Sequence, residues 1–112
     1  KGYPYVAPYV AAKHGVVGLM RALATETVKS GVTVNAICPG FVESDMLEES
    51  VQRIVRTTGR TVAEARASLS ATNPQGRFIQ PQEVAATVLW LCSEAAGSIT
   101  GQAISLSGGE TW

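Results

Sequence analysis

Two short β-branched runs decide what this chain can fold into. Val32-Thr33-Val34-Asn35-Ala36-Ile37 is bounded by Gly31 and by Pro39-Gly40. Gln102 to Leu106 is bounded by Gly101 and by Ser107-Gly108-Gly109. Both read as strands, and the pattern around and between them is helical. Strands linked by helices in this order suit a parallel α/β sheet, because parallel neighbours need a crossover connection. Two strands cannot complete such a sheet, since each keeps a row of N–H and C=O groups to be paired. The expectation is that more strands lie upstream and that these residues are part of a longer chain.

The helices can be placed from their punctuation. Residues 1–8 read as a loop. Ala7 to Lys29 reads as one long helix, with Val10, Val17, Met20, Leu23 and Ala24 recurring at three and four. Gly31 is its C-terminal stop and Lys29 lies in the last turn. The helix is apolar on more than one side, which predicts burial against a sheet and against a neighbour. Gly15 and Gly18 predict close packing by another backbone. Met46–Thr57 and Thr61–Ala71 read as two short helices around Gly59. Thr61 with Glu64 three residues later has the pattern of a capping box. Asn73-Pro74-Gln75-Gly76 breaks the chain. Pro81 opens the next helix, whose apolar residues are Val84, Val88, Leu89 and Leu91.

Composition narrows the function classes. In 112 residues, 46% are hydrophobic and 16% charged, which is a globular balance for one small domain. Lys plus Arg and Asp plus Glu both number nine, so no net field favours nucleic acid or an acidic membrane. No apolar run reaches the ~18–20 residues that span a bilayer. The two cysteines, Cys38 and Cys92, lie in apolar runs without a partner at metal-ligand spacing. They are expected to be reduced, buried thiols of a cytoplasmic protein.

One pair carries chemistry. Tyr9 and Lys13 stand one helical turn apart near the start of the long helix, which puts both side chains on one face. A phenol exchanges its proton poorly at neutral pH, and an ammonium beside it favours the phenolate. By spacing alone, a surface contact is the favoured reading of such a pair. His14 points ~100° away around the helix and is assigned packing or solvent.

The surroundings of that pair resemble a known family. Tyr9-Val10-Ala11-Ala12-Lys13-His14-Gly15 is followed by Val32-Thr33-Val34-Asn35-Ala36-Ile37-Cys38-Pro39-Gly40-Phe41-Val42-Glu43-Ser44. Then come Gly76-Arg77-Phe78 with Pro81-Gln82-Glu83-Val84-Ala85, and Ile99-Thr100-Gly101-Gln102 with Ser107-Gly108-Gly109. In this order these closely resemble the short-chain dehydrogenase/reductase family over essentially the whole chain, least over residues 45–72. The resemblance implies the C-terminal part of a doubly wound parallel-sheet Rossmann fold, one domain portion spanning 1–112, with the nucleotide-binding half absent. Neither the family's glycine-rich phosphate loop nor its upstream catalytic Ser and Asn has a counterpart here.

The same resemblance assigns roles. Tyr9 matches the catalytic acid/base, and Lys13 the residue that activates it and holds the nicotinamide ribose. Pro39 and Gly40 match the turn that flanks the nicotinamide. Val42 matches the position whose backbone meets the carboxamide. Ser44 lies where Thr is usual, with a hydroxyl for the carboxamide or pyrophosphate. Ser107 departs from the usual Asp at a mainly structural position. The implied cofactor is NAD or NADP, the substrate a small carbonyl or alcohol, and the assembly a dimer or tetramer. The stretch from Ile37 to Glu43 is closest to the 3-oxoacyl reductase and 3-hydroxyacyl dehydrogenase branch, with polyketide ketoreductases also similar.

Three further expectations concern the remaining side chains. The arginines at 53, 56, 60, 66 and 77 either form local ion pairs with Glu43, Asp45, Glu48 and Glu49 or meet phosphates of an acyl carrier. Met46, Leu47, Val51, Ile54 and Val55 are expected to line or cap an apolar substrate pocket. Trp90 and Trp112 are expected to anchor a core or interface. The alternative to an enzyme is a non-catalytic interaction module built from the family's assembly surfaces.

Overall fold

The computed structural model describes residues 1–110; Trp112 lies outside them. It is an α/β arrangement of four helices and two parallel strands: α1 (Ala7–Thr27), β1 (Ala36–Pro39), α2 (Asp45–Thr58), α3 (Val62–Ser70), α4 (Pro81–Leu91) and β2 (Ala103–Leu106). Two compact units share the chain. Among the described residues, the first takes Lys1–Cys38 and Thr87–Ile104, the second Pro39–Ala86 and Ser105–Glu110.

In the first unit, α1 runs to Thr27 and tightens into a short 3-10 turn, Val28–Ser30. Gly31, at φ 76°, then donates its N–H to the Val28 carbonyl. That left-handed stop is the one predicted, because only glycine enters it at no steric cost. Burial on α1 is smaller than the sequence predicts. Met20 and Ala24 are buried, whereas Leu19 is 60% exposed. Nothing among the described residues lies within 4 Å of a Cβ placed at Gly15 or Gly18. The cause is the size of the sheet, which has two four-residue strands and offers α1 little to pack on. One close approach does form: a Cβ at Gly101 would lie 3.5 Å from the Ala24 methyl, an ordinary contact distance.

The first strand starts four residues later than predicted, at Ala36 and not Val32. Side chains replace the ladder ahead of it. Val34 N–H donates to the Thr100 hydroxyl, and its carbonyl accepts from Gly101 N–H. The Asn35 amide donates to the Ile99 carbonyl and accepts from Gln102 N–H. Regular pairing begins where Ala36 N–H donates to the Gln102 carbonyl. The cysteines also differ from expectation. Cys38 is half-buried and Cys92 is exposed, because no described element covers α4 at its C-terminal turn.

In the second unit, Gly40 N–H donates to the Leu106 carbonyl, so pairing runs one residue past Pro39. Proline was expected to stop it. In a strand with side-to-side alternation, the Pro39 nitrogen points to the other edge, where no donor is called for. Helices α2 and α3 pack on each other. Their core is Leu47, Val51 and Ala65 with Phe78 and Ile79. The predicted capping box forms: Thr61 Oγ1 accepts from Glu64 N–H and the Glu64 carboxylate accepts from Thr61 N–H. Gly59, at φ 71°, closes α2 by donating to the Val55 carbonyl.

Candidate active site

Helix α1 brings Tyr9 and Lys13 together. The Lys13 ammonium lies over the Tyr9 ring, 5.4 Å from its centroid. Tyr9 is 54% exposed, so the phenol faces open space. A cation over a ring face is held by the ring's quadrupole. His14 donates its Nδ1–H to the Val10 carbonyl, 2.8 Å away, and takes no part in the pair.

The residues after β1 form a second group, described on its own. Val42 makes an isolated parallel bridge with Ile79. Its bonds are Ile79 N–H to the Phe41 carbonyl and Glu43 N–H to the Ile79 carbonyl, both 2.9 Å. Each peptide plane flanking Val42 is therefore fixed by Ile79. Because trans peptides point N–H and C=O in opposite directions, the Val42 N–H and C=O are turned away from Ile79. Pro39 is exposed. A Cβ on Gly40 would point at Ser107 and Glu110, at ordinary contact distances of 3.5 Å. Ser44 is the N-cap of α2: its Oγ accepts from Leu47 N–H at 3.3 Å and donates to the Val42 carbonyl at 3.1 Å. Ser44 followed by acidic residues in the first turn, Asp45 and Glu48, was a legible cap signal that places the helix start earlier than Met46.

The arginines divide. Arg66 pairs with Glu43 at 2.6 Å and Glu48 at 3.4 Å, and its guanidinium carbon lies 5.0 Å from the Phe78 ring centroid. Hydrogen bonding to Glu43 holds the Arg66 guanidinium more firmly protonated than usual. Arg77 grips Glu83 through both nitrogens, at 2.7 and 2.8 Å. That bond, with Gln80 N–H next in weight, lowers the Glu83 carboxyl from 4.5 to about 2. These two arginines follow the local ion-pair reading. Arg53 and Arg56 line an open depression of about 420 Å³ with Asp45, Glu48, Glu49 and Gln52 along the polar face of α2.

The apolar pocket lining does not form as predicted. Leu47 and Val51 are core residues, spent on packing α2 against α3, and Met46 is exposed. Sequence reasoning also missed Ile79. Its only signal was a two-residue apolar step, Phe78-Ile79, between polar neighbours. Trp90 is partly exposed on α4. No group of three or more His, Cys, Asp or Glu side chains among the described residues could hold a metal ion. No helix among them is long and apolar enough to cross a membrane.

A long helix presenting Tyr9 and Lys13 together, followed by a parallel strand that ends at Pro39, places the chain in the α/β class. A family model described as "Enoyl-(Acyl carrier protein) reductase" matches residues 1–111, and the chain belongs to the short-chain dehydrogenase/reductase family. It is 41% identical to a "Putative ketoacyl reductase" of Streptomyces coelicolor over 97% of this chain and 42% of that protein. It is 39% identical to a "D-beta-hydroxybutyrate dehydrogenase" of Rhizobium meliloti over 96% of this chain and 42% of that protein. The structure of a variant of actinorhodin polyketide ketoreductase with NADPH superposes with a TM-score of 0.91 at 40% identity, over 98% of this chain and 42% of that one. The chain thus spans about two-fifths of the length of these relatives.

Proposed function

We propose that these residues are the C-terminal portion of one Rossmann-fold dehydrogenase domain, and that the complete protein moves a hydride between NAD or NADP and a carbonyl or secondary alcohol. The observation that carries this reading is the Lys13 ammonium over the exposed Tyr9 ring. Tyr9 gives its proton to the carbonyl oxygen during reduction and takes it from the alcohol during oxidation. Lys13 offsets the negative charge that builds on the phenol oxygen as the proton leaves, and its remaining N–H groups suit a ribose diol. The bound nicotinamide supplies or accepts the hydride. The 39–44 segment fits that group's amide: Val42 presents one donor and one acceptor turned off its bridge, which is what a primary carboxamide requires. The exposed Pro39, the side-chain-free Gly40 and the Ser44 hydroxyl complete the segment.

A 3-oxoacyl or 3-hydroxyacyl thioester is the proposed substrate: the ketoacyl reductase relative's name supports the acyl class, and the hydroxybutyrate dehydrogenase's name supports only the oxygen at the third carbon. Assembly as a dimer or tetramer in the cytoplasm is part of the same reading.

The test uses the full-length protein with acetoacetyl-CoA. Tyr9→Phe is expected to lower turnover by about a thousandfold while the NAD(P)H dissociation constant stays within about threefold. Wild-type turnover in that variant overturns the proposal.

A further inference from the structure

We propose that Arg66 is a positioning residue that holds the Phe41–Ser44 segment in its cofactor-binding form by clamping Glu43. The inference rests on the reading above in which the Val42 backbone takes the carboxamide.

Ordering an irregular four-residue segment costs backbone entropy at each residue. A segment that presents a backbone donor and acceptor must be ordered in advance if binding is not to bear that cost. The bridge to Ile79 fixes the peptide planes on either side of Val42. The Ser44 cap fixes the exit into α2. Arg66, reaching over from α3, adds a side-chain tie across the two bridged stretches. One nitrogen bonds Glu43, on one bridged stretch, while the guanidinium carbon lies 5.0 Å from the ring centroid of Phe78, on the other. Its second terminal nitrogen reaches Glu48 in α2. Thus one planar side chain touches the residue after Val42, the residue before Ile79, and the helix that follows. Lysine has one point of charge and no flat face, so it makes only part of this set.

The Arg66–Glu43 pair is about a third exposed on one side and two-fifths on the other, at 33% and 41%. Exposed pairs add little to global stability. Its effect should therefore be read in binding before it is read in folding. Arg53, on the polar face of the preceding helix, provides a matched change of charge without the clamp.

The experiment measures NADPH and NADH dissociation constants of the full-length protein by calorimetry, alongside melting temperatures. Arg66→Gln and Glu43→Gln are each expected to weaken the preferred cofactor by about tenfold with little change in melting temperature. The double variant should be no weaker than the worse single, because both remove the same contact. Arg66→Lys should recover part of the loss, and Arg53→Gln should bind like wild type. If Arg66→Gln does not fold, the isosteric Glu43→Gln change carries the comparison with Arg53→Gln. Singles that bind within twofold of a binding wild type overturn the inference alone, as do losses that multiply in the double. A wild type that binds neither dinucleotide overturns the functional reading and this inference with it.

Discussion

At the scale of single residues, the strictest requirement in the chain is at Gly108. It sits at φ 64°, and a Cβ there would overlap the Asn73 amide. That amide has no freedom to move aside. Asn73 is buried, donates to the Arg77 carbonyl and accepts from Gln75 N–H. Gly108→Ala in the full-length protein is expected to cost on the order of 3 kcal/mol, from the strained φ and broken buried hydrogen bonds together. Urea unfolding checks this, and a loss under about 0.5 kcal/mol would refute it. The Ser107-Gly108-Gly109 string was legible as structural, but its reason was not. Asn73 is far away in sequence, and no local rule couples a turn asparagine to a distant glycine. Arg66 teaches the same lesson. Its ion-pair character could be anticipated from nearby acids, whereas its place over Phe78 is a tertiary fact.

At the scale of elements, helices were readable and strand limits were not. The caps explain why. Gly31, Gly59, Thr61 with Glu64, and Pro81 act within a few residues of themselves, so the sequence carries their whole mechanism. The beginning of β1 depends on whether backbone or side-chain groups pair with residues 99–102, and β-propensity cannot distinguish these. The N-terminus of α4 supplies a titration test. Glu83 reaches back to Gln80 N–H and is gripped by Arg77. A carboxyl lowered in the folded state stabilises above its ordinary pKa and loses that contribution as pH falls through the folded one. The window here runs from 4.5 down to about 2. NMR titration of the Glu83 side chain should place its midpoint near 2 and, in Arg77→Leu, well above it. An unchanged midpoint in that variant would remove Arg77 as the cause.

At the scale of the whole molecule, each unit buries few side chains. Met20, Ala24 and Ala96 serve the first, and Leu47, Val51, Ala65, Phe78 and Ile79 the second. Large apolar groups on α1 and α4 stay in water, among them Val16, Leu19, Leu89 and Trp90. Chains with small cores are marginal. Expressed by itself, the 112-residue chain is expected to unfold broadly, bind 8-anilinonaphthalene-1-sulfonate and show no measurable NAD(H) binding. A micromolar NAD(H) dissociation constant for it would contradict that expectation. The order of strands and helices alone made the α/β class legible, and the parallel strand pair bears it out. The extent of uncovered surface was not, because periodicity marks which residues want cover and says nothing of what provides it.

The Ser44 oxygen has a consequence for ligand choice. A hydroxyl owns one hydrogen and two lone pairs. Here the hydrogen is committed to the Val42 carbonyl and one lone pair to Leu47 N–H. The single vacancy left is a lone pair, so an incoming molecule must arrive bearing a hydrogen. An NH2 group satisfies that condition, and a bare phosphate oxygen is turned away unless the hydroxyl first rotates and forsakes Val42.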